Sequence, residues 1–318
     1  MIYPLLLSAP VKNYLWGGDR LITEYGFETE GDKAAEAWIL SCHKDGESIV
    51  KNGALAGRTL SEAIKEMGEE ILGENAAKFP YFPILIKLID ARDRLSVQVH
   101  PDNEYALKNE GEYGKTEMWY IVDCEEGAGI IYGFNRDVEL HELERRIRNN
   151  SLSEICNFVP VKKGDAFYIK AGTMHAIGKG ILIAEIQQNS NTTYRVSDYG
   201  RLGADGKPRP LHISKALDVI NRKRMTRNDL EPDITIYPFG IVKTLAECEY
   251  FTTEHLTLKG KAGLMEEKSF LSIVVLDGDV VLSYTGGSIR LKKGDSVFVP
   301  AKCRITLTGE ADIISTHI

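Results

Sequence analysis

Val161-Lys162-Lys163-Gly164-Asp165-Ala166-Phe167-Tyr168-Ile169-Lys170-Ala171 recurs as Leu291-Lys292-Lys293-Gly294-Asp295-Ser296-Val297-Phe298-Val299-Pro300-Ala301. Each copy places a Gly-Asp turn before an alternating strand that closes on a Pro or Gly bend. One such turn arises easily in any β-protein. The stretches upstream, Tyr120 to Gly133 and Ser272 to Gly286, correspond as well, and two copies in equivalent surroundings point to duplicated jelly-roll units. Outside the repeat, β-type segments dominate: Ala37 to Leu40, Phe82 to Ile89, Ser96 to Val99, Met118 to Val122, Gly129 to Tyr132, Ala166 to Ile169, Ile181 to Gln187 and most of Ile234 to Ile318. Helical periodicity is confined to Thr59 to Leu72, which opens on the capping-box pattern Thr59-Leu60-Ser61-Glu62, to Glu139 to Arg148, and to Ser214 to Arg224 with its apolar stripe Ala216, Leu217, Ile220. The expected fold is mainly β, two jelly rolls with short helical insertions. The polar stretch Asn228 to Asp233 divides a unit over 1–232 from a unit over 233–318.

The first unit carries a candidate metal site. Gln98 and His100 are two residues apart in Leu95-Ser96-Val97-Gln98-Val99-His100-Pro101, so they leave the same face of one strand. Glu117 opens the apolar run Met118 to Ile121, and His175 follows the run Ala166 to Ile169. Three strands thus bring together four N and O donors, a set suited to zinc or a similar first-row metal. Singly, each residue reads as a satisfied core or edge residue; the combination, in a chain with seven histidines, points to a metal. In the second unit the place of His175 falls at Ile305, and Ser272 to Leu276 offers neither His nor Glu, so the metal belongs to the first unit alone.

Composition narrows the class. The 318 residues are ample for a core, and a net charge of −7 argues against nucleic acid or an anionic membrane surface as partner. Five cysteines without CxxC spacing read as reduced thiols, and Met1-Ile2-Tyr3-Pro4 begins without a secretion signal. The expectation is a cytoplasmic protein, monomer or homodimer.

At four motifs the chain resembles the short, bacterial type I mannose-6-phosphate isomerases, zinc-dependent enzymes of the cupin superfamily. They are Trp16-Gly17-Gly18, Leu95 to Pro101, Lys115 to Trp119, and the run from Ala171-Gly172-Thr173-Met174-His175 through Glu185-Ile186-Gln187-Gln188-Asn189-Ser190 to Thr193-Tyr194-Arg195. The resemblance implies one zinc ion on Gln98, His100, Glu117 and His175, the four residues already proposed from spacing. It places the substrate phosphate on Ser96, Lys87 and Lys115, and a catalytic arginine at Arg195. Two positions depart from the family pattern: Asn191, where relatives often have Asp, and Ile39, which replaces a common Glu.

The implied reaction interconverts mannose 6-phosphate and fructose 6-phosphate through a cis-enediol, so the catalyst must stabilise an enediolate. Arg195 supplies a fixed positive charge, and the proton carrier is Glu185, a metal-bound hydroxide or Lys115. Glu185 competes with a second role, orienting Arg195. Lys87, inside the apolar run Phe82 to Ile89, reads either as an edge-strand charge or as a cation facing a cavity. Trp16 reads as an aromatic wall of the substrate site or as core. A different function class, a non-catalytic cupin that binds a sugar or its phosphate and regulates something else, is separated from the enzyme by Arg195 with Lys115, which a binder of neutral sugars does not need.

Overall fold

The computed structural model describes residues 2–203, 206–226 and 233–318. Most regular structure is antiparallel β, in three principal sheets. A six-stranded sheet runs Ala166–Ile169, Glu117–Cys124, Ile181–Gln188, Ile84–Ala91, Glu36–Leu40, Val11–Lys12. A five-stranded sheet runs Cys156–Pro160, Gly129–Phe134, His175–Ile177, Val97–Val99, Tyr194–Ser197. A nine-stranded sheet takes in the C-terminal quarter of the chain, from Ile234–Tyr237 to Ile305–His317, together with Leu5–Ser8 and Ile49–Val50. Among the described residues no helix is long and apolar enough to cross a membrane.

The six-stranded sheet is buried on both faces, which is why its central strands read as continuous apolar runs rather than as alternation. Ile84, Ile86, Leu88, Met118, Tyr120, Leu182, Ala184 and Ile186 pack with Leu5, Val274, Leu276, Phe298 and Ile314 of the nine-stranded sheet. The residues between them, Ile89, Trp119, Ile121, Ile181 and Ile183, pack with Ile130, Tyr132 and Ile177 of the five-stranded sheet. Lys87, Glu117 and Glu185 share the parity of this second set, so the period of two sends them into the space between the six- and five-stranded sheets. The far face of the five-stranded sheet is covered by the helices Leu140–Arg148 and Ile213–Val219, through Leu143, Ile147 and Ala216.

The two repeat copies make the same turn. Gly164 and Gly294 both have φ of 90°, and the following Asp accepts from a backbone N–H three residues upstream, Lys162 N at 3.0 Å and Lys292 N at 2.9 Å. Each glycine N–H then donates to the neighbouring long strand, at Ile121 O and Val275 O. The strands that leave the turns, Ala166–Ile169 and Ser296–Val299, pair with Glu117–Cys124 and Leu271–Tyr284 respectively. The N-terminal strand Leu5–Ser8 extends the C-terminal sheet by pairing Leu5 with Phe298, so hydrogen bonding crosses a linear division at 232. Of the expected boundary Asn228 to Asp233, all but Asp233 lies outside the described residues.

The helical expectations need trimming. The segment from Thr59 keeps its capping box but ends at Met67, because Gly68 has φ of 96°; a 3-10 turn follows over Glu69–Leu72. The segment from Ser214 is a helix over Ile213–Val219 only. A further helix, Asn103–Asn109, capped by Asp102 accepting from Tyr105 N, has no counterpart in the sequence reading, because seven residues with one buried apolar position show no period. Trp16-Gly17-Gly18 is a close-packing motif: a Cβ on Gly17 would lie 2.6 Å from Ala35 Cβ, and one on Gly18 would overlap the Asp90 carboxylate.

Candidate active site

Cross-strand register builds the floor of a cleft. Trp38, Lys87, Glu185 and Trp119 are successive partners across four strands of the six-stranded sheet. Facing them on the five-stranded sheet, Gln98 is the partner of both His175 and Arg195. The cleft between holds about 270 Å³ and is lined by Tyr14, Trp16, Glu36, Lys87, Ser96, Gln98, Lys115, Glu185, Asn191, Thr193, Arg195 and Arg209.

At its deep end His100, Glu117 and His175 bring their donor atoms within 4.8 Å of one another, all three buried. His100 Nδ1 lies 2.9 Å from Thr192 O and His175 Nδ1 2.8 Å from Thr173 O. A carbonyl oxygen only accepts, so each Nδ1 carries the proton and each Nε2 turns a lone pair inward. His175 Nε2 then stands 3.3 Å from Glu117 Oε1, an oxygen with no hydrogen-bond partner among the described residues. Two acceptor atoms at that separation need a positive charge between them, a proton on the carboxyl or a metal ion in its place. Gln98 closes the group, its amide nitrogen 3.4 Å from His175 Nε2. Burial, and next the charge of Lys115, hold both imidazoles below their ordinary range, His175 down to about 4, which keeps them neutral and able to ligate. Burial, and next Glu185, push Glu117 up to about 8. The donor set, the fixed tautomers and the unpartnered oxygen all fit a divalent metal.

Beside it runs a line of alternating charge. Lys115 Nζ contacts Glu117 Oε2, lies 3.3 Å from His100 Nε2 and 3.5 Å from Glu185 Oε1. Glu185 Oε1 is 3.3 Å from Lys87 Nζ, which is 3.5 Å from Glu36 Oε2. Two indole N–H groups fix the carboxylates, Trp119 Nε1 donating to Glu185 at 2.9 Å and Trp38 Nε1 to Glu36 at 2.8 Å. Burial alone would raise Glu185, but Lys115, Lys87 and Trp119 outweigh it and hold the carboxyl down to about 2. Burial alone would lower Lys87, but Glu36 and Glu185 outweigh it and raise the ammonium above its ordinary value.

Arg195 stands apart from this line. Its Nε donates to Ser96 Oγ at 3.3 Å and its Nη1 to Pro210 O at 3.0 Å. Among the described residues no carboxylate makes an ion pair with it, since Asp198 is taken by Arg209 at 2.5 Å and Arg201 at 2.6 Å. Burial, and next the nearby Arg209, lower its pKa.

The phosphomannose isomerase type I catalytic-domain model matches residues 5–127, and the mannose-6-phosphate isomerase cupin-domain model matches 241–318. The chain is 38% identical over 319 residues to the mannose-6-phosphate isomerase of Streptococcus mutans, covering 100% of this chain and 99% of the relative. The chain belongs to the mannose-6-phosphate isomerase family. Mannose-6-phosphate isomerase ManA of Bacillus subtilis is 39% identical, with 99% of each chain covered. The crystal structure of the Bacillus subtilis mannose 6-phosphate isomerase superposes with a TM-score of 0.92 at 36% identity over 99% of each chain. As a mannose-6-phosphate isomerase the protein is an aldose-ketose isomerase whose family interconverts mannose 6-phosphate and fructose 6-phosphate. That settles the choice of function class in favour of the enzyme.

Lys87, Ser96, Gln98, Lys115, Glu185, Arg195 and Trp16 line this one cleft, and His100, Glu117 and His175 are buried against its Lys115 and Gln98. Lys87 is not an edge-strand charge: its strand lies between Ile181–Gln188 and Glu36–Leu40. Glu185 makes no contact with Arg195 and serves the lysines instead. Trp16 is both core and wall, 4% exposed yet lining the cleft. Ile39 packs in the core on the opposite face of its strand, and Asn191 Nδ2 donates to Asp45 Oδ2 at 2.8 Å. The sequence reading passed over Glu36, Trp38, Tyr14 and Arg209. Glu36 carried a signal, a carboxylate two residues before Trp38 in the apolar run Ala34 to Leu40; Arg209, in a proline-flanked loop, carried none.

Proposed function

We propose that this isomerase works through a cis-enediol at a zinc ion held by Gln98, His100, Glu117 and His175. The unpartnered Glu117 Oε1 facing the His175 Nε2 lone pair at 3.3 Å carries the proposal. Bound there, zinc would supply Lewis-acid polarisation of the sugar oxygens at C1 and C2. The chain's residues do the rest. Arg195, unpaired by any described carboxylate and starting beside Gln98, stabilises the negative charge that develops on the enediolate. Glu185 and Lys115, 3.5 Å apart at the cleft floor, form the couple that moves the proton between C1 and C2, the carboxylate accepting and the ammonium holding it ionised in the resting state.

Ser96, reached by Arg195 in a cleft that Arg209 also lines, offers the phosphate a hydroxyl beside a guanidinium group. Lys87 and Lys115, assigned to the phosphate from the resemblance, are each already compensated by two carboxylates. Lys115 stays with the proton couple, and Lys87 anchors Glu185. Trp16, with Tyr14 tilted against it at 5.4 Å, walls the sugar.

The same reading makes the chain a two-cupin enzyme, with a metal-binding catalytic unit over 1–232 and a C-terminal unit over 233–318 that binds no metal. The matching Gly-Asp turns support the duplication, and buried Ile305 at the counterpart of His175 supports the single site. Its setting is the cytoplasm and its partner the sugar phosphate. A coupled assay for fructose 6-phosphate formation, with and without chelator, joined to elemental analysis of protein purified without added metal, tests the reading. Full activity in a metal-stripped preparation would overturn it.

A further inference from the structure

Glu112, outside the cleft and in none of the sequence motifs, is bound to the loop that holds a proposed metal ligand. Thr192 O is the acceptor that fixes His100 Nδ1 at 2.9 Å. The carboxylate of Glu112 grips the same loop twice through Oε2, which accepts from Asn191 N at 3.4 Å and from Thr192 Oγ1 at 3.3 Å. Glu112 is itself fixed from the other side: Lys44 Nζ lies 2.6 Å from Oε1, and buried His43 presents Nε2 3.6 Å from Oε2. Lys44 and Asp45 lie between the paired strands Cys42–His43 and Gly46–Glu47, and Asp45 accepts from Asn191 Nδ2. The loop is therefore clasped at three points by groups that do not touch the cleft, and the residues on either side of Thr192, Asn191 and Thr193, both line it.

We propose that Glu112 is a positioning residue for the metal centre: by holding the backbone at 191–192 it sets the Thr192 carbonyl, and through that carbonyl the tautomer and angle of His100. The inference rests on the zinc reading of His100. A group that directly partners a ligating histidine is worth about 10–100-fold in metal affinity; here that group is the Thr192 carbonyl, which Glu112 holds in place. Glu112 acts only through two bonds to the loop, so the lower end of that range applies.

The experiment measures zinc affinity by competition with a chromophoric chelator, alongside the melting temperature of the metal-free protein. The wild type is compared with Glu112→Ala, Glu112→Gln, Thr192→Val and His100→Ala. Glu112→Ala is expected to weaken zinc by about tenfold, and Glu112→Gln, which keeps an acceptor for both loop donors, by less. A purely structural role lowers the metal-free melting temperature and leaves zinc affinity at the wild-type value, which would overturn the proposal. If Glu112→Ala does not fold, Thr192→Val decides: it deletes one of the two bonds, and unchanged affinity overturns the proposal. His100→Ala separates the two levels. Wild-type zinc binding in that variant defeats the metal reading itself, whereas zinc lost from His100→Ala but retained in full by Glu112→Ala defeats only the role of Glu112.

Discussion

Replacing Lys87 with methionine removes a charge and little else, because the unbranched side chain keeps most of the volume of the lysine stem. The ammonium it removes is buried, 3.5 Å from Glu36 and 3.3 Å from Glu185, and 5.0 Å above the Trp38 ring. Without it, among the described residues, Glu36 has no cation in an ion pair and Glu185 keeps only Lys115 at 3.5 Å. Removing one partner of a buried pair costs about 3–5 kcal/mol, since the remaining charge stays desolvated. For a chain of this size that corresponds to a fall in Tm of roughly 4–8 °C. Calorimetry or urea unfolding of the wild type, Lys87→Met, Glu36→Gln and the double variant would show it. The double variant should be less destabilised than the sum of the singles, by about 1–3 kcal/mol, because each change relieves the other. If Lys87→Met melts within about 1 °C of wild type and only KM rises, Lys87 is a phosphate contact and the reasoning from its two carboxylates is wrong.

His175→Ala should lose the metal during chelator-free purification and lose activity with it, and a variant with full metal content and turnover would remove His175 from the site. Arg195→Lys should lower kcat by about a hundredfold with KM nearly unchanged, because lysine keeps the charge but not the rigid fork; normal turnover per folded, metal-loaded molecule would show that Arg195 has no catalytic role. Glu185 takes up its proton near 4.5 in the unfolded chain but only at about 2 in the folded protein, so its stabilisation is full above pH 4.5 and is lost as pH falls toward 2. The stability gap between wild type and Glu185→Gln, measured by urea unfolding of the metal-free proteins, should therefore narrow as pH drops from 5 toward 3, and a gap independent of pH would contradict the depressed carboxyl.

The sequence by itself determined the strands, the repeat and the cluster of candidate metal donors His100, Glu117 and His175, because each rests on local period. Alternation puts Gln98 and His100 on one face whatever the surroundings, and a Gly-Asp turn needs positive φ at the glycine wherever it occurs, as Gly164 and Gly294 demonstrate. Motif order was enough to identify the family. Register across strands far apart in sequence was decided only by the tertiary structure. Lys87 faces Glu185 and Trp38 because three strands pair at those residues, and no local pattern states which residue will lie opposite which. That pairing places Lys87 at the centre of a buried ion network and turns Glu185 toward the lysines rather than toward Arg195. Glu112 lay beyond sequence reading for the same reason, since its hold on Thr192 spans 80 residues and depends on where two loops meet in space.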